Sequence, residues 1–287
     1  MYKVNIRPFR KSWHNVLFYS FIILIMFVRL LPFLYVISGA FQSEWVIKTG
    51  EVRLLPKDLT LQNFKELLLT KTGVQAFSEN LINSFKAAGS VSLITMTISA
   101  LAAYGLAHYN FKLKETVGKI LLFLYVFPTI LAIYPIYNIL AKMDLADTHL
   151  GLIMVHVALS APFCTWLMRS FFEAIPDEIL EAARVDGAGR FRIIVQIILP
   201  LAAAGILTGG MYAFVTSWGE YMFASIILTS GTKKTIPLAL QAYMSGTDQS
   251  WGCLLAGCVL NFIPMLVLFL PMLKTFLRGF TEGGVKQ

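Results

Sequence analysis

The stretch EAARVDGAGRFRIIVQIILP, residues 181–200, is the one long polar interruption in the otherwise apolar second half of the chain. Pro176 suits the first position of a helix, and the acidic residues that follow, ending with Glu181, meet the positive end of its dipole. Two alanines add helix propensity with little side-chain bulk, and Gly187 can take the left-handed conformation that ends a helix. The pattern predicts a short, close-fitting helix followed by a turn.

The second half of this stretch joins the predicted helix to an apolar segment. Arg190 and Arg192 mark the edge of the bilayer, where basic side chains flank membrane spans. Pro200 lies just inside the next span and is expected to bend or cap its start, because proline lacks the N–H that a helix interior uses. An ordinary amphipathic loop shows the same local pattern, so these residues alone leave both interpretations open.

The composition is that of a membrane protein. Of the 287 residues, 57% are apolar and 14% are charged, and the mean hydropathy is +0.69, far above that of a soluble domain. Several charge-free runs are long enough, at roughly 20 residues, to cross the bilayer as helices. The sequence therefore predicts an all-α, polytopic membrane protein with six transmembrane helices.

The predicted spans follow the apolar runs between charged connections. They cover residues 13–41, 83–108, 120–141, 149–166, 197–227 and 254–273. Pro32 is expected to bend or weaken the first span, and Pro128 and Pro135 to kink the third. By region, the prediction is an amino tail (1–12), the first transmembrane helix (13–41), an extracytoplasmic loop with a short helix (42–79), a transmembrane core (80–274) that includes the cytoplasmic helix (176–190), and a carboxyl tail (275–287).

The basic residues set the predicted orientation. Most Lys and Arg residues lie in the two tails, in the connection around Lys112 and in residues 169–192, whereas the short links on the other side hold only Lys142, Lys233 and Lys234. Because short cytoplasmic loops carry an excess of Lys and Arg, both termini and the polar stretch are predicted to be cytoplasmic. The net charge of +8 therefore reflects topology, and no nucleic-acid partner is predicted.

The spacing within the polar stretch matches a known motif. Glu181-Ala-Ala183, Gly187 after three residues, Ile197 after nine more, and Leu199-Pro200 after one more occupy every fixed position of the EAA loop. By this match the chain resembles the permease subunits of bacterial ABC importers, which have the type I importer permease fold.

Further stretches resemble the carbohydrate-uptake branch of this family, specifically the second permease subunit of the maltose importer. They run from the first outer loop to the carboxyl end, and none is decisive alone. They are Leu59-Thr-Leu-Gln-Asn-Phe64, Ala102-Ala-Tyr-Gly-Leu-Ala107, Phe172-Glu-Ala-Ile-Pro176, Ala183-Arg-Val-Asp-Gly-Ala188, Ser217-Trp-Gly-Glu-Tyr221 and Thr281-Glu-Gly-Gly-Val-Lys286.

The resemblance implies a larger assembly. Such permeases work with a second homologous permease subunit, two ATPase subunits and an extracytoplasmic sugar-binding protein, in contact with the lipid of the bacterial plasma (inner) membrane. The sequence has no Gly-x-x-x-x-Gly-Lys-Ser/Thr phosphate loop. No cofactor is therefore predicted on this chain, ATP and Mg are expected on the partner ATPase, and the chain is predicted to be a transport subunit and not an enzyme.

The resemblance also assigns roles within the cytoplasmic helix, which is expected to sit in a groove on the ATPase and to transmit its closure to the spans. Glu181 is the predicted charge-assisted contact, and Ala182 and Ala183 are expected to allow close approach. Asp186 completes the docking set, and Gly187 supplies the turn. The competing explanation for Glu181 is that it only complements the helix dipole.

Candidates for the transport pathway are less specific. Sugar sites combine aromatic faces with amide and carboxylate groups, but single aromatic residues in membrane helices more often pack or anchor at the interface. Glu220 is the only acid inside a predicted span, and Arg29 is its candidate partner; alternatively, Arg29 snorkels and Glu220 lies near water. The predicted pathway residues are Tyr134, Asn138, Trp218, Glu220 and Asn261, with Tyr125, Tyr137 and Trp166 as further aromatic candidates.

Three other functions share parts of this pattern. An ABC permease for amino acids, peptides or phosphate has the same Glu181 motif but should lack the Leu59 to Phe64 segment and the ending from Glu282 to Lys286. An integral membrane enzyme needs convergent His, Asp, Glu or Cys groups, whereas the histidines here are scattered and His156 is most simply a packed polar residue. A secondary transporter needs charged relays or paired broken helices within one chain. A sugar importer permease is the predicted function.

Overall fold

The computed structural model of the chain describes residues 13–56, 59–69, 76–244 and 250–283. Within these ranges every regular element is helical. The predicted amino tail (1–12) and the end of the predicted carboxyl tail (284–287) lie outside the described residues. In chain order the α-helices are α1 (Trp13–Ala40), α2 (Glu44–Lys48), α3 (Gln62–Leu69), α4 (Phe77–His108), α5 (Lys114–Val126), α6 (Ile133–Lys142), α7 (His149–Glu173), α8 (Asp177–Val185), α9 (Arg190–Ile193), α10 (Leu199–Leu201), α11 (Ala203–Trp218), α12 (Met222–Ile227), α13 (Ile236–Ala242) and α14 (Trp251–Gly283).

The described helices provide six membrane spans when each of two bent pairs counts as one. Straight spans lie in α1, α4, α7 and α14, which are long and apolar enough to cross a bilayer. The third span is Lys114–Val126 with Thr129–Lys142, bent by 87°, and the fifth is Arg190–Leu201 with α11, bent by 75°. The six-span, all-α prediction is confirmed, but two of the spans are sharply bent.

The bend in the third span lies at Pro128. The residue before it, Phe127, ends α5 in an extended conformation (φ −61°, ψ 131°), which is the conformation that a following proline imposes. A 3-10 turn at Thr129–Ala132 then leads into α6. The kink predicted at Pro128 is present, whereas Pro135 lies in the first turn of α6, where proline is tolerated, and the helix continues to Lys142.

The bend in the fifth span follows Pro200. A π-helical turn at Ile194–Ile198 joins α9 to α10, and Pro200 cannot donate the N–H that the carbonyl of Gln196 would accept in a regular α-helix. The chain turns at Ala202 (φ −86°, ψ 5°) before α11 begins. The predicted bend near Pro200 is therefore present. The π-helical turn and the proline that accompany it are adjacent in the chain.

The helices of the structure differ in extent from several predicted segments. The predicted span 197–227 is not continuous, because α11 ends at Trp218 and α12 begins at Met222. Glu220 therefore lies in a break between two helices and not inside one. Helix α14 continues to Gly283, well into the predicted carboxyl tail, and α1 continues through Pro32 without interruption. The short helix predicted in the first outer loop is present as α3, and α2 was not predicted.

The centre of the fold consists of α4, α7 and α11, with α1 packed along α14. Glycines on α11 let these helices approach closely: a Cβ at Gly209 would overlap the side chain of Met168, and one at Gly210 that of Met96. The approach allows Ser92 of α4 to donate to the carbonyl of Gly210 at 2.7 Å. Such contacts hold the three helices together without a hydrophobic driving force from water.

Helix α4 connects two distinct ends of the bundle. Near its start, Asn80 Nδ2 donates to the carbonyl of Lys234 at 2.9 Å, which joins two segments predicted to be extracytoplasmic. At its end, His108 Nδ1 lies 3.4 Å from Asp177 Oδ1, which joins two segments predicted to be cytoplasmic. The structure therefore groups the connections as the alternating spans predict.

Candidate functional site

The helix at the polar stretch is α8, which has defined signals at both ends. It begins after Pro176, whose φ of −62° and ψ of 136° are typical of the residue that precedes a helix. Gly187 has a φ of +79°, and its N–H donates to Arg184 at 3.1 Å while the N–H of Ala188 donates to Ala183 at 3.0 Å. These two bonds form a Schellman motif, so the predicted left-handed turn at Gly187 is confirmed.

One face of α8 is buried against the membrane helices. Leu180 is 2% exposed and Ala183 is 7% exposed, and both belong to the buried cluster that includes Ala103, Phe172 and Ile193. The side chain of Ala183, which was predicted to allow close approach of a partner, lies in this chain's own core, and its role in docking stays a prediction. The buried face of α8 therefore shares a core cluster with residues near the ends of α4 and α7.

The other face of α8 is exposed. Glu181, Ala182, Asp186 and Gly187 all lie on it, as a docking surface requires. The structure adds Val185, which is 87% exposed and which the sequence motif did not single out. Five exposed residues of one short helix and its turn, which we call the α8 surface, therefore combine two acids with small and apolar groups.

The position of Glu181 in α8 bears on whether this acid only complements the helix dipole. The acids in the first turn of α8 are Asp177 and Glu178, and Glu181 lies one turn further along the helix. The helix dipole favours negative charge mainly within the first turn. Complementation of the dipole therefore accounts for Asp177 and Glu178 better than for Glu181.

Charged contacts brace the neighbouring helices at this end. Arg169 of α7 donates to Glu173 of the same helix at 2.7 Å and to Glu115 of α5 at 3.0 Å, and the second bond joins α5 to α7. Because the guanidinium donates through separate nitrogens, it holds both carboxylates in fixed directions. Helix α8 therefore follows directly on a helix, α7, whose end is tied to α5.

A cavity of about 350 Å³ lies within the membrane part of the bundle, beside the break at Pro128. Residues of α5, α7 and α11 surround it. Its wall combines apolar, aromatic and hydroxyl-bearing side chains with one histidine and one acid. The lining residues are Leu124, Tyr125, Phe127, Pro128, Thr129, His156, Leu159, Ser160, Tyr212, Thr216, Ser217 and Glu220.

A hydrogen-bonded group crosses one wall of this cavity. His156, only 5% exposed, has Nδ1 at 2.7 Å from Ser217 Oγ and Nε2 at 3.2 Å from Glu220 Oε2. An ionised carboxylate only accepts, so Nε2 is the donor to Glu220. Glu220 also accepts from the N–H groups of Phe223 at 2.8 Å and Ala224 at 3.0 Å, which makes it the cap of α12.

Glu220 does not pair with Arg29, which was one of the two interpretations that the sequence left open. The observed partner is His156 of α7, whereas Arg29 is exposed on α1. His156, predicted as a packed polar residue, is indeed buried. Among the ion pairs of the described residues, it is also the one side chain that pairs with Glu220.

The structure separates the predicted pathway residues. Of the five, only Glu220 lines the cavity. Trp218 is 1% exposed and packs on Phe214, and its Nε1 donates to the carbonyl of Asn261 at 3.2 Å. Tyr134 and Asn138 are exposed on α6. The packing interpretation therefore holds for Trp218, and neither Tyr134 nor Asn138 reaches the cavity.

Residues that sequence reasoning missed supply much of the cavity wall. Tyr212 and Thr216 lie on one face of α11, one turn apart and one turn before Glu220. Phe163 contacts two tyrosines: it stacks on Tyr125 with ring centroids 4.4 Å apart, and it packs at a tilt of 46° on Tyr212 with ring centroids 4.4 Å apart. The helical spacing of Tyr212, Thr216 and Glu220 was a readable signal, because residues four apart share a helix face.

Comparison with known proteins gives one family. Residues 95–277 match the family described as binding-protein-dependent transport system inner membrane component. The chain is 29% identical over 277 residues to the inner membrane ABC transporter permease protein YcjP of Escherichia coli, covering 96% of this chain and 98% of that protein. It is 31% identical over 273 residues to the maltodextrin transport system permease protein MdxG of Bacillus subtilis, covering 93% and 95%.

A solved structure shows the same fold. A chain from a bacterial ABC transporter involved in the import of the acidic polysaccharide alginate superposes with a TM-score of 0.77 at 20% identity, covering 92% of this chain and 96% of that chain. The predicted importer permease fold is therefore confirmed. With the EAA motif on α8 and the match over most of the transmembrane core, the chain belongs to the family of binding-protein-dependent transport system inner membrane components.

Proposed function

We propose that this chain is one of two permease subunits in an ATP-driven ABC importer and forms half of the membrane pathway for a sugar or oligosaccharide. The α8 surface carries this proposal. It is exposed on one face and fixed to the spans on the other through Leu180 and Ala183, so a partner that moves α8 also moves α4 and α7. Packed elements transmit such movement as rigid bodies.

The proposed partners follow from this arrangement and from the relatives. Two ATPase subunits dock on the cytoplasmic side and hold ATP and Mg, a second homologous permease completes the pathway, and an extracytoplasmic solute-binding protein delivers the cargo. The chain itself carries out no chemistry on the cargo. Its location is the bacterial inner membrane, with both termini in the cytoplasm.

The carbohydrate cargo rests on likeness to sugar permeases. The relative MdxG is described as a maltodextrin permease, and the solved neighbour belongs to an alginate importer. The cavity beside Pro128 has the aromatic and hydroxyl groups that saccharides use, at a size within the usual range for small-molecule sites.

The test is reconstitution of the complete transporter. Full-length tagged chain is purified with the subunits that accompany it and is placed in liposomes with its solute-binding protein outside. Uptake of labelled maltose, trehalose or maltodextrin should require ATP and Mg on the ATPase side. Uptake by this chain alone, without ATP, would overturn the proposal in favour of a secondary transporter, and ATP-driven uptake of amino acids but no sugar would overturn the cargo.

A further inference from the structure

We propose that this subunit binds the solute directly in the cavity beside Pro128, and that the cavity favours a neutral, hydroxyl-rich solute over an anionic one. This inference rests on the proposed importer function and adds to it. Both the direct contact and the charge preference follow from the side chains that form the cavity wall.

The cavity is placed where a pathway through the bundle would be. It lies at the 87° bend of the third span, which moves backbone away from the neighbouring helices and leaves about 350 Å³ of space. Irregular backbone at membrane depth is tolerated where it lines a cavity. Proline at position 128 therefore both breaks the helix and opens the space.

The wall offers groups that match a sugar ring. Phe163 holds the rings of Tyr125 and Tyr212 in place, with ring-centroid distances of 4.4 Å to each, stacked on Tyr125 and tilted by 46° on Tyr212. Aromatic faces suit the C–H face of a sugar, and hydroxyl side chains both donate to and accept from its hydroxyls. Thr216 is exposed to this space although α11 is a central helix.

The one acidic side chain of the wall, Glu220, already has hydrogen-bond donors within the protein. Glu220 accepts from Phe223, Ala224 and His156, and both ring nitrogens of His156 have partners. His156 is the only basic side chain among the described residues of the wall, and these bonds occupy both of its nitrogens. Among the described residues that line the cavity there is no Lys or Arg.

This arrangement disfavours an anion. A carboxylate or sulfonate entering the cavity would lose its hydration, meet the negative charge of Glu220, and find no free cation in this subunit's wall to compensate. A neutral saccharide loses only hydroxyl–water hydrogen bonds, which the wall hydroxyls replace. The fold alone does not fix this preference, because the solved neighbour with the same fold belongs to an importer of an acidic polysaccharide.

Two threonines of α11 provide a matched test of direct contact. Thr216 lines the cavity and its Oγ1 donates to the carbonyl of Tyr212 at 2.8 Å, whereas Thr208 makes the same kind of bond to Ala204 at 2.7 Å but does not line the cavity. In the complete reconstituted transporter, Thr216→Val should raise the KM for the neutral sugar about three- to tenfold, the effect of one lost hydrogen bond. Thr208→Val should leave that KM unchanged. Equal KM values in the two variants, with ATP-driven uptake intact, would overturn direct contact and leave the importer function standing.

The charge preference is tested with sugars of matched size. The unmodified transporter should take up a neutral disaccharide at least about tenfold more efficiently than the corresponding disaccharide of glucuronic acid, the ratio expected for about 1.4 kcal/mol of discrimination. Thr216→Lys, which places a cation in the wall, should shift that ratio toward the acidic sugar. Equal uptake of both sugars by the unmodified transporter, or no shift in the lysine variant, would overturn the preference. If no saccharide is taken up with ATP, the importer proposal fails and this inference fails with it.

Discussion

His156 and Glu220 are linked across two membrane helices, with 3.2 Å between Nε2 and Oε2. The link joins the first half of α7 to the break between α11 and α12, and Ser217 Oγ lies 2.7 Å from the other ring nitrogen of His156. Because Glu220 also caps α12, one carboxylate fixes the directions of three helices. The acid therefore has a structural role at the same place where it lines the cavity.

Replacement of Glu220 by glutamine should destabilise the protein. The donors from Phe223, Ala224 and His156 now share two carboxylate oxygens, whereas an amide has only one oxygen that accepts. The NH2 group of the amide would instead face a backbone N–H or the imidazole. We expect a loss of about 1 to 3 kcal/mol, measured as a lower melting temperature of the purified complex in detergent. Glu178→Gln, on the exposed face of α8, is the control and should lower the melting temperature less, because it removes only an exposed first-turn charge. Equal melting of both variants would show that the cap contributes nothing.

Removal of the Glu181 carboxylate should uncouple ATP hydrolysis from uptake. A hydrogen bond to a charged partner contributes about 1.5 to 3 kcal/mol, so Glu181→Ala should weaken docking by about tenfold or more. The measurement is the amount of sugar taken up per ATP hydrolysed in liposomes. Glu178→Ala removes an acid from the first turn of the same helix and should retain coupling. If Glu178→Ala uncouples as strongly as Glu181→Ala, the dipole explanation is the better one.

Alanine at Gly187 should loosen the end of α8. Gly187 has a φ of +79°, and the left-handed region costs an alanine about 1 to 2 kcal/mol. Gly189 has a φ of −67°, and a Cβ at either glycine meets no atom within 4 Å, so the pair isolates the backbone effect. Gly187→Ala should increase the rate of limited proteolysis around residues 186–190 and lower uptake, while Gly189→Ala should do neither. A similar response of both variants would refute a special role for the turn.

Asp147 should stabilise the end of the bundle that is predicted to be extracytoplasmic, down to mildly acidic pH. It lies in the link between α6 and α7, and its carboxylate accepts from the N–H groups of Thr229 and Ser230 at 2.9 Å each and from Lys233 Nζ at 2.9 Å. Partial burial acts to raise the pKa of Asp147, but the hydrogen bonds from Ser230 and Lys233 outweigh it and hold that pKa well below its usual range.

The direction of the pH effect follows from this lowered pKa. A depressed carboxylate contributes stability that is fully present above its unfolded pKa of about 3.9 and is lost as the pH falls through the folded pKa. Asp147→Asn should therefore lower the melting temperature at pH 7 and pH 5, and the difference from the unmodified protein should shrink below about pH 4. Asp144→Asn is the control, since Asp144 has a similar φ of 55° against 53° for Asp147. A difference that stays constant down to the lowest accessible pH would contradict the assignment.

Much of this protein is determined by its sequence, because the deciding effects are local or are set by the bilayer. Charge-free runs of sufficient length predict the spans, proline chemistry predicts the bends at Pro128 and Pro200, and the need for a left-handed residue predicts the turn at Gly187. The spacing from Glu181 to Pro200 is enough to identify the family.

Only the tertiary structure decided which faces of the helices meet. In a span that is apolar on every side, the sequence has no polar stripe to separate the face that packs in the core from the face that contacts lipid. Ala183 therefore proved to be buried, Trp218 to be a packing residue, and Glu220 to pair with His156 and not with Arg29. Each of these outcomes depends on the relative rotation of helices distant in sequence, which close contacts such as Gly209 against Met168 establish only when the bundle forms.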